Sequence, residues 1–412
     1  MTRMPADVSL IDSRHAARRL AAALCIVTLG SSGMYILPVV MPAVQQEFSA
    51  SRAGISLAYT VTMVASGVGG MLCGRAADRY GLAAVVALGA LGVAAGYVLA
   101  GLSSNIILFV LAHGMLIGLL GIASAFVPLM ADTALWWNRR RGIAVAICAS
   151  GNYVAGTVWP PLVQWGVEHV GWRHTYTVLG LSCGAGMAAL CMALRKRPPL
   201  PLAAATASAG GHAVHDTRPF GLPAGLAQML LFIASVSCCV AMSMPQVHIV
   251  SYCTDLGINP ARGAEMLSRM LGFGIVSRLA SGWIADHLGG MRTLILGSAL
   301  QTLALLLFLP FDGLVTLYII SAMFGLFQGG IVPSYAIVVR EYFPPREAGA
   351  RVGSVMFGTL LGMALGGWMS GKIFDLTGSY RMAFINGVGW NLFNLALVSW
   401  LFMRAHRQRA SA

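Results

Sequence analysis

One arginine stands deep inside an apolar stretch. Arg278 lies in the run from Gly263 to Ala285, eight residues before Asp286 and so roughly 12 Å from it along a helix axis. A charge at that depth is costly, so it reads as functional. A guanidinium offers a carboxylate two parallel hydrogen bonds, and the chemistry it suits is reversible capture of an organic anion. The competing reading is an arginine that caps carbonyls or pairs across helices. Arg269 lies nine residues earlier and about half a turn round the helix. It follows Glu265 by four, the spacing of an i,i+4 ion pair.

His113 and His248 are the titratable groups deep in apolar runs, and histidine changes charge near neutral pH. Each is a candidate proton site, or else a hydrogen-bonded packing residue. All fourteen acids fall at helix ends, in loops or in tails, with Asp132 and Glu265 nearest the membrane. Tyr35, Phe126, Asn152, Tyr153, Tyr252, Phe324 and Gln328, with His248, are candidates to line a cavity. Rings would enclose an apolar tail, and hydroxyls or amides would complete the anion's hydrogen bonds. For each one alone, packing is the competing reading. No nucleophile stands beside a base, no His/Cys cluster has metal spacing, and no phosphate loop appears. An enzyme, an ATP-driven pump, a cofactor and a bound metal are therefore not expected.

The elements that position these residues follow from the solvent. Hydrophobic residues make up 57% of the chain and charged ones only 10%, where a soluble protein carries roughly 25% charged. A lipid bilayer fits. Spans of about 20 apolar residues are expected near 20–43, 53–74, 82–102, 106–131, 142–165, 174–194, 223–250, 264–285, 292–310, 314–338, 350–371 and 383–403. The first is read as a retained helix, since its apolar run is too long for a cleaved signal core. The eight cysteines fall mostly in these runs without paired spacing, and read as small packing residues.

The excess of 27 Lys+Arg over 14 Asp+Glu could suggest nucleic acid, but its placement argues for topology. The basic residues gather at both termini, in the 195–222 linker and in every second loop, as at Arg139, Arg140 and Arg141. Only Arg52, Arg173, Arg262, Lys372 and Arg381 fall on the opposite side. Both termini are thus expected in the cytoplasm, in a bacterial inner membrane, with no nucleic-acid partner. The linker, with His212 and His215, reads as a flexible connector rather than a metal site.

The chain repeats itself. Gly74-Arg75-Ala76-Ala77-Asp78-Arg79-Tyr80-Gly81 recurs as Gly282-Trp283-Ile284-Ala285-Asp286-His287-Leu288-Gly289, 208 residues on. Pro38 and Pro245, and Gly151 and Gly358, are offset by 207. Gly171-Trp172-Arg173 matches Gly378-Ser379-Tyr380-Arg381. Two parallel six-helix halves around a midplane site is a transporter architecture. In the repeated element the glycines suit a tight turn and close helix approach. Asp78 could cap the next helix or pair with an arginine between halves. Gly74, Asp78, Arg79, Gly81, Gly282, Asp286 and Gly289 are therefore gating candidates, a latch for the outward-open state. The competing reading is a turn with one solvated ion pair. Pro38, Pro42, Pro245 and Pro333 are expected to kink their helices.

With these residues in view, the chain resembles the major facilitator superfamily, and within it the monocarboxylate transporter and oxalate–formate antiporter branch. The signature loop is Gly74–Gly81. Branch-like stretches are Trp136-Trp137-Asn138-Arg139-Arg140-Arg141-Gly142, then Gly151, Gly156, Pro160 and Pro161, then Pro245-Gln246-Val247-His248 with Tyr252, and Phe374-Asp375-Leu376-Thr377. The resemblance implies an all-α membrane protein of twelve helices in two pseudo-symmetric bundles, 20–194 and 223–403, flanked by tails 1–19 and 404–412. It also implies that Arg278 matches the branch's substrate-binding arginine. There are departures. Ser31-Ser32-Gly33-Met34-Tyr35 replaces the acidic start of helix 1, no Lys or Arg lies between Gly353 and Gly371, and Gly274 stands where the branch has an acid four residues before the arginine. The expected function is a monomeric carrier of small organic anions, chiefly monocarboxylates, by proton symport or anion exchange. The alternative is an efflux carrier of drugs or other solutes.

Overall fold

Each apolar run becomes helical because backbone in lipid must satisfy its own hydrogen bonds. This computed structural model describes residues 10–196 and 219–411; the histidines of the linker, His212 and His215, lie outside the described residues. The first helices are α1 (Arg14–Gly30), α2 (Ser32–Phe48), α3 (Arg52–Tyr80) and α4 (Leu82–Gly101). Then come α5 (Ile106–Leu111), a π-helical stretch Ala112–Ile122, α6 (Ala123–Ala125), α7 (Val127–Trp136) and α8 (Arg141–Cys191). After the linker follow α9 (Ala224–Asp255), α10 (Pro260–Leu288), α11 (Gly290–Leu307), α12 (Leu314–Gln328), α13 (Ile331–Tyr342), α14 (Pro345–Thr377) and α15 (Tyr380–Ser411). No strand occurs among the described residues.

Polar residues between the runs set the helix starts. Ser13 Oγ accepts from His15 N and Ala16 N at 3.1 and 3.3 Å to cap α1. Asn105 caps α5 and Asn259 caps α10, where Pro260 takes the first position and loses no hydrogen bond by doing so.

Among the described residues, ten helical stretches are long and apolar enough to cross a membrane. The expected spans 142–165 and 174–194 fall in one of them, Arg141–Leu194, bent at Gly171. The 29-residue α10 is not one of the ten. Other expected spans are broken rather than smooth. The first divides at Ser31 between α1 and α2, and the fourth passes through the π-helical stretch. The span 314–338 breaks at Gly329–Gly330, which puts Pro333 in the first turn of α13. Proline is tolerated there, so Pro333 does not kink a helix interior as expected. Pro38, Pro42 and Pro245 do lie inside helices.

The internal repeat is visible in backbone geometry. Gly81 and Gly289 both end the signature element at positive φ, +92° and +83°, where a side chain would be strained. Gly171 and Gly378 also share positive φ, +79° and +68°. Packing repeats too. A methyl on Gly151 would lie 2.8 Å from Leu24 O and 2.9 Å from Val27 Cβ, and one on Gly358 would meet Phe232 and Ser235. Leu24 and Phe232, like Val27 and Ser235, stand 208 residues apart.

The chain forms two compact units. One holds the described residues up to 36, Val64–Trp159 and 166–196; the other holds Leu37–Met63, Pro160–Trp165 and 219–411. In the first, Gly89, Gly92 and Gly96 of α4 bring its backbone against Leu116, Ile117, Leu120 and Ser124. In the second, Gly358, Gly362 and Gly366 of α14 do the same against α9. Without a hydrophobic force between helices in lipid, such small-residue rows are what let them associate closely. Seven of the eight cysteines are buried and all are free, as packing residues would be.

Candidate functional site

Arg278 is half-buried on the part of α10 that meets the start of α13. Gly274, Ser277 and Ser281 lie there against Gly329 and Gly330, so close that neither glycine could carry a methyl group without a clash. Arg269 does not take the expected pair with Glu265. Its guanidinium stacks 4.4 Å over the Tyr318 ring. Glu265 instead pairs with Arg262 at 3.2 Å and accepts a hydrogen bond from the Tyr318 hydroxyl. The i,i+4 partner loses because Tyr318 offers the carboxylate a neutral donor and the arginine an aromatic face.

In the first unit, the Tyr35 hydroxyl donates to Asn152 Oδ1, so two of the cavity candidates meet. Asn152 Nδ2 faces Met34 Sδ at 3.9 Å. Tyr153 is buried on α8, and half-buried Phe126 sits at the break between α6 and α7. His113 lies in the π-helical stretch, an element that often marks functional positions. Its Nε2 lies 2.9 Å from the Tyr176 hydroxyl, and rings of Tyr97, Phe109 and Tyr176 surround it. Its Nδ1 is buried without a hydrogen-bond partner. A proton added there would have no acceptor, which suits a packing role.

In the second unit, His248 is placed differently. Its Nε2 lies 2.8 Å from the Gly367 carbonyl and its Nδ1 3.0 Å from the Tyr380 hydroxyl. A carbonyl oxygen only accepts, so Nε2 carries the proton of the neutral ring and Nδ1 accepts from Tyr380. Both nitrogens face oxygens able to accept, and an added proton would strand neither. Tyr252 stands edge-on to Tyr380, 5.9 Å away, and to Phe384, 5.3 Å away. Gln328 Oε1 accepts from Gln246 Nε2 at 2.8 Å. Gln328 and Phe324 are fully buried.

In the repeated element, the turn expected of Gly81 and Gly289 is present, but the close helix approach expected at Gly74 and Gly282 is not. A methyl group at either would meet nothing within 4 Å. Asp78 and Asp286 are exposed and form no ion pair among the described residues. Arg79 lies over the Tyr80 ring.

Two arginines that charge counting treats as loop and tail residues are buried. Arg19 is 3% exposed and binds both oxygens of Asp132, through Nε at 2.9 Å and Nη2 at 3.0 Å. Arg52 is 9% exposed and donates from Nη2 to Asp255 Oδ1 at 2.6 Å. The available sequence signal was that each stands at the edge of an apolar run, with an acid at the end of another.

A family model described as Major Facilitator Superfamily matches residues 23–321 and 231–412. Among curated relatives, Monocarboxylate transporter 13 of Rattus norvegicus is 27% identical over 373 residues, covering 88% of this chain and 82% of that protein. The uncharacterized MFS-type transporter YcxA of Bacillus subtilis is 25% identical over 351 residues, covering 81% and 82%. Among solved structures, a bacterial homolog of the human lysosomal transporter Spinster, inward-facing and occupied, superposes with a TM-score of 0.73 at 13% identity, over 96% of this chain and 97% of that one. The helical membrane fold, the repeated signature element and these matches agree: the chain belongs to the major facilitator superfamily, a family of multi-pass membrane transporters.

Proposed function

We propose that the chain is a secondary carrier of small organic monoanions, chiefly monocarboxylates, working by alternating access between two six-helix halves, 20–194 and 223–403. The observation that carries this reading is Arg278, a guanidinium part-way along α10 that remains half-accessible. A single cation there suits a single carboxylate. Relatives named monocarboxylate transporters, at 26–27% identity, support the same substrate class. His248 favours a proton over a counter-anion as the coupling species, because its ring can be charged without losing either hydrogen bond. The arginine distribution supports cytoplasmic termini.

The test is thermal stability of the purified protein with lactate, pyruvate, aromatic acids, oxalate, sugars and lipophilic cations, beside Arg278→Ala. A ligand at a hundred times its dissociation constant adds about 2.7 kcal/mol of stability. Monocarboxylates should stabilise the wild type and not the variant. Equal stabilisation of both by sugars or cations would overturn the anion reading and leave the family assignment intact.

A further inference from the structure

The N-terminus of α3 is held by a residue more than 300 positions away. Asp375, near the end of α14, accepts from Arg52 N and Ala53 N, both at 2.8 Å, one to each carboxylate oxygen. A carboxylate at this end also complements the helix dipole. The Arg52 side chain is gripped as well. Nη2 is bound by Asp255, and the guanidinium carbon lies 5.0 Å from the Phe374 ring centre and 6.0 Å from that of Tyr380. Its Nε and Nη1 are buried without partners. This is a guanidinium shut into a joint it only partly satisfies, and the cost of its unpaired donors favours the open joint, where water can reach them.

The seam continues along both helices. Gly371 could not take a methyl group without coming within 2.8 Å of Arg52 O and Ser56 Oγ, and at Gly367 one would lie 3.1 Å from the Tyr59 ring. Thr60 Oγ1 donates to Ala364 O at 2.9 Å. His248 touches this seam twice. It binds the carbonyl of Gly367, the residue under Tyr59, and the hydroxyl of Tyr380, whose ring flanks Arg52.

We propose that Arg52, Asp255 and Asp375 form a latch between α3 and the α9–α14 pair, and that His248 is its proton trigger. The proposal rests on the reading of the chain as a proton-coupled carrier, and names where the proton acts. The neutral ring accepts from Tyr380. When one proton binds Nδ1 the direction reverses: the imidazolium donates, and the Tyr380 hydroxyl must turn its own hydrogen elsewhere. Ser251 Oγ, buried, stands beside it. The imidazolium is then a second cation within reach of Arg52 and Asp375, and the latch loosens. The charged and titratable groups around the joint are Arg52 and Tyr59 from α3, His248, Tyr252 and Asp255 from α9, Asp375 from α14, Tyr380 from α15, and Asp312 ahead of α12. Acid on the carboxylates would loosen the joint in the same direction, so the test must single out the histidine.

The experiment reads opening without any substrate. Ser56→Cys puts a thiol in the buried seam of the full-length protein in liposomes. Its labelling by a membrane-impermeant maleimide is measured at about pH 7.5 and about pH 4, a window that reaches below the usual histidine transition. Rates are normalised to Gln46→Cys, an exposed position on α2, and the signal of the unsubstituted protein is subtracted. Acid should raise the Ser56→Cys rate by about tenfold. Adding His248→Gln should keep it slow at both pH values, and adding Arg52→Gln should make it fast at both. Tyr380→Phe, which keeps the ring and removes the hydroxyl, should blunt the acid response and stands in should His248→Gln fail to fold. A full acid response in His248→Gln or Tyr380→Phe, a rate indifferent to pH, or protection that survives Arg52→Gln would overturn the proposal. Because no anion is present, failure here leaves the Arg278 reading to its own test.

Discussion

Arg19 and Asp132 form a two-pronged ion pair, with Nε on Oδ2 at 2.9 Å and Nη2 on Oδ1 at 3.0 Å. Both side chains are at least nine-tenths buried, Arg19 Nη1 reaches Ala193 O, and the Trp136 ring lies 4.7 Å from the guanidinium. The pair ties the ends of three chain segments in the first unit. Removing one partner leaves a buried charge uncompensated, at a cost of about 3–5 kcal/mol. Asp132→Ala should therefore lower the unfolding midpoint in detergent sharply. Replacing both residues with apolar ones of similar size should recover much of the loss.

The glycines of the repeat separate into two kinds. Gly151→Val and Gly358→Val force a side chain into the neighbouring helix, and each should destabilise its unit by about 1–3 kcal/mol. Gly74→Ala and Gly282→Ala add a methyl group to open space within a helix, and should gain up to about 1 kcal/mol. Thermal unfolding of the four variants checks this. Lost transport in Gly74→Ala at undiminished stability would point to the gating role proposed for that element.

The two buried histidines should behave differently. His113→Phe removes one hydrogen bond to Tyr176 inside a ring cluster, with a stability change of about 1–3 kcal/mol. The pH profile of uptake should keep its shape. In His248→Gln the profile should flatten on its acid side. Uptake measured across pH with both variants distinguishes them.

Arg269 and Arg278 share a helix and make a matched comparison. Arg269→Ala gives up an exposed cation–π contact of about 0.5–1 kcal/mol, and ligand-induced stabilisation should be unchanged. Arg278→Lys keeps the charge and loses the planar fork. The apparent affinity for monocarboxylates should fall at least about tenfold, read from the ligand concentration giving half the maximal thermal shift.

Much of this molecule was legible as sequence because its strongest signals are local. Apolar length gave the helices, and Gly81 and Gly289 reappeared as a matched pair because a tight turn demands the same residue twice. Arg278 and His248 could be singled out because charge in an apolar run is rare. Arg52 and Arg19 could not. Each sits at the end of a run, where a snorkelling arginine looks the same as a buried one, and only the arrival of Asp255, Asp375 or Asp132 from distant sequence decides. Arg269 was drawn to the wrong partner for a related reason: helical spacing sees Glu265 but not Tyr318. The π-helical stretch at Ala112–Ile122 has no compositional mark of its own.

Helix α14 bears glycines on two faces. Gly358, Gly362 and Gly366 lie along α9, while Gly367 and Gly371 lie along α3. Where helices interlock by bulky side chains, sliding one past another means lifting each chain out of its socket. Along α14 both neighbours rest on bare backbone, so a shift parallel to its axis requires few rotamer changes. The helix is smooth on two sides like a rail, and the polar clasps along it, from Thr60 on Ala364 and His248 on Gly367 to Asp375 on α3, are what hold the smooth seam in register.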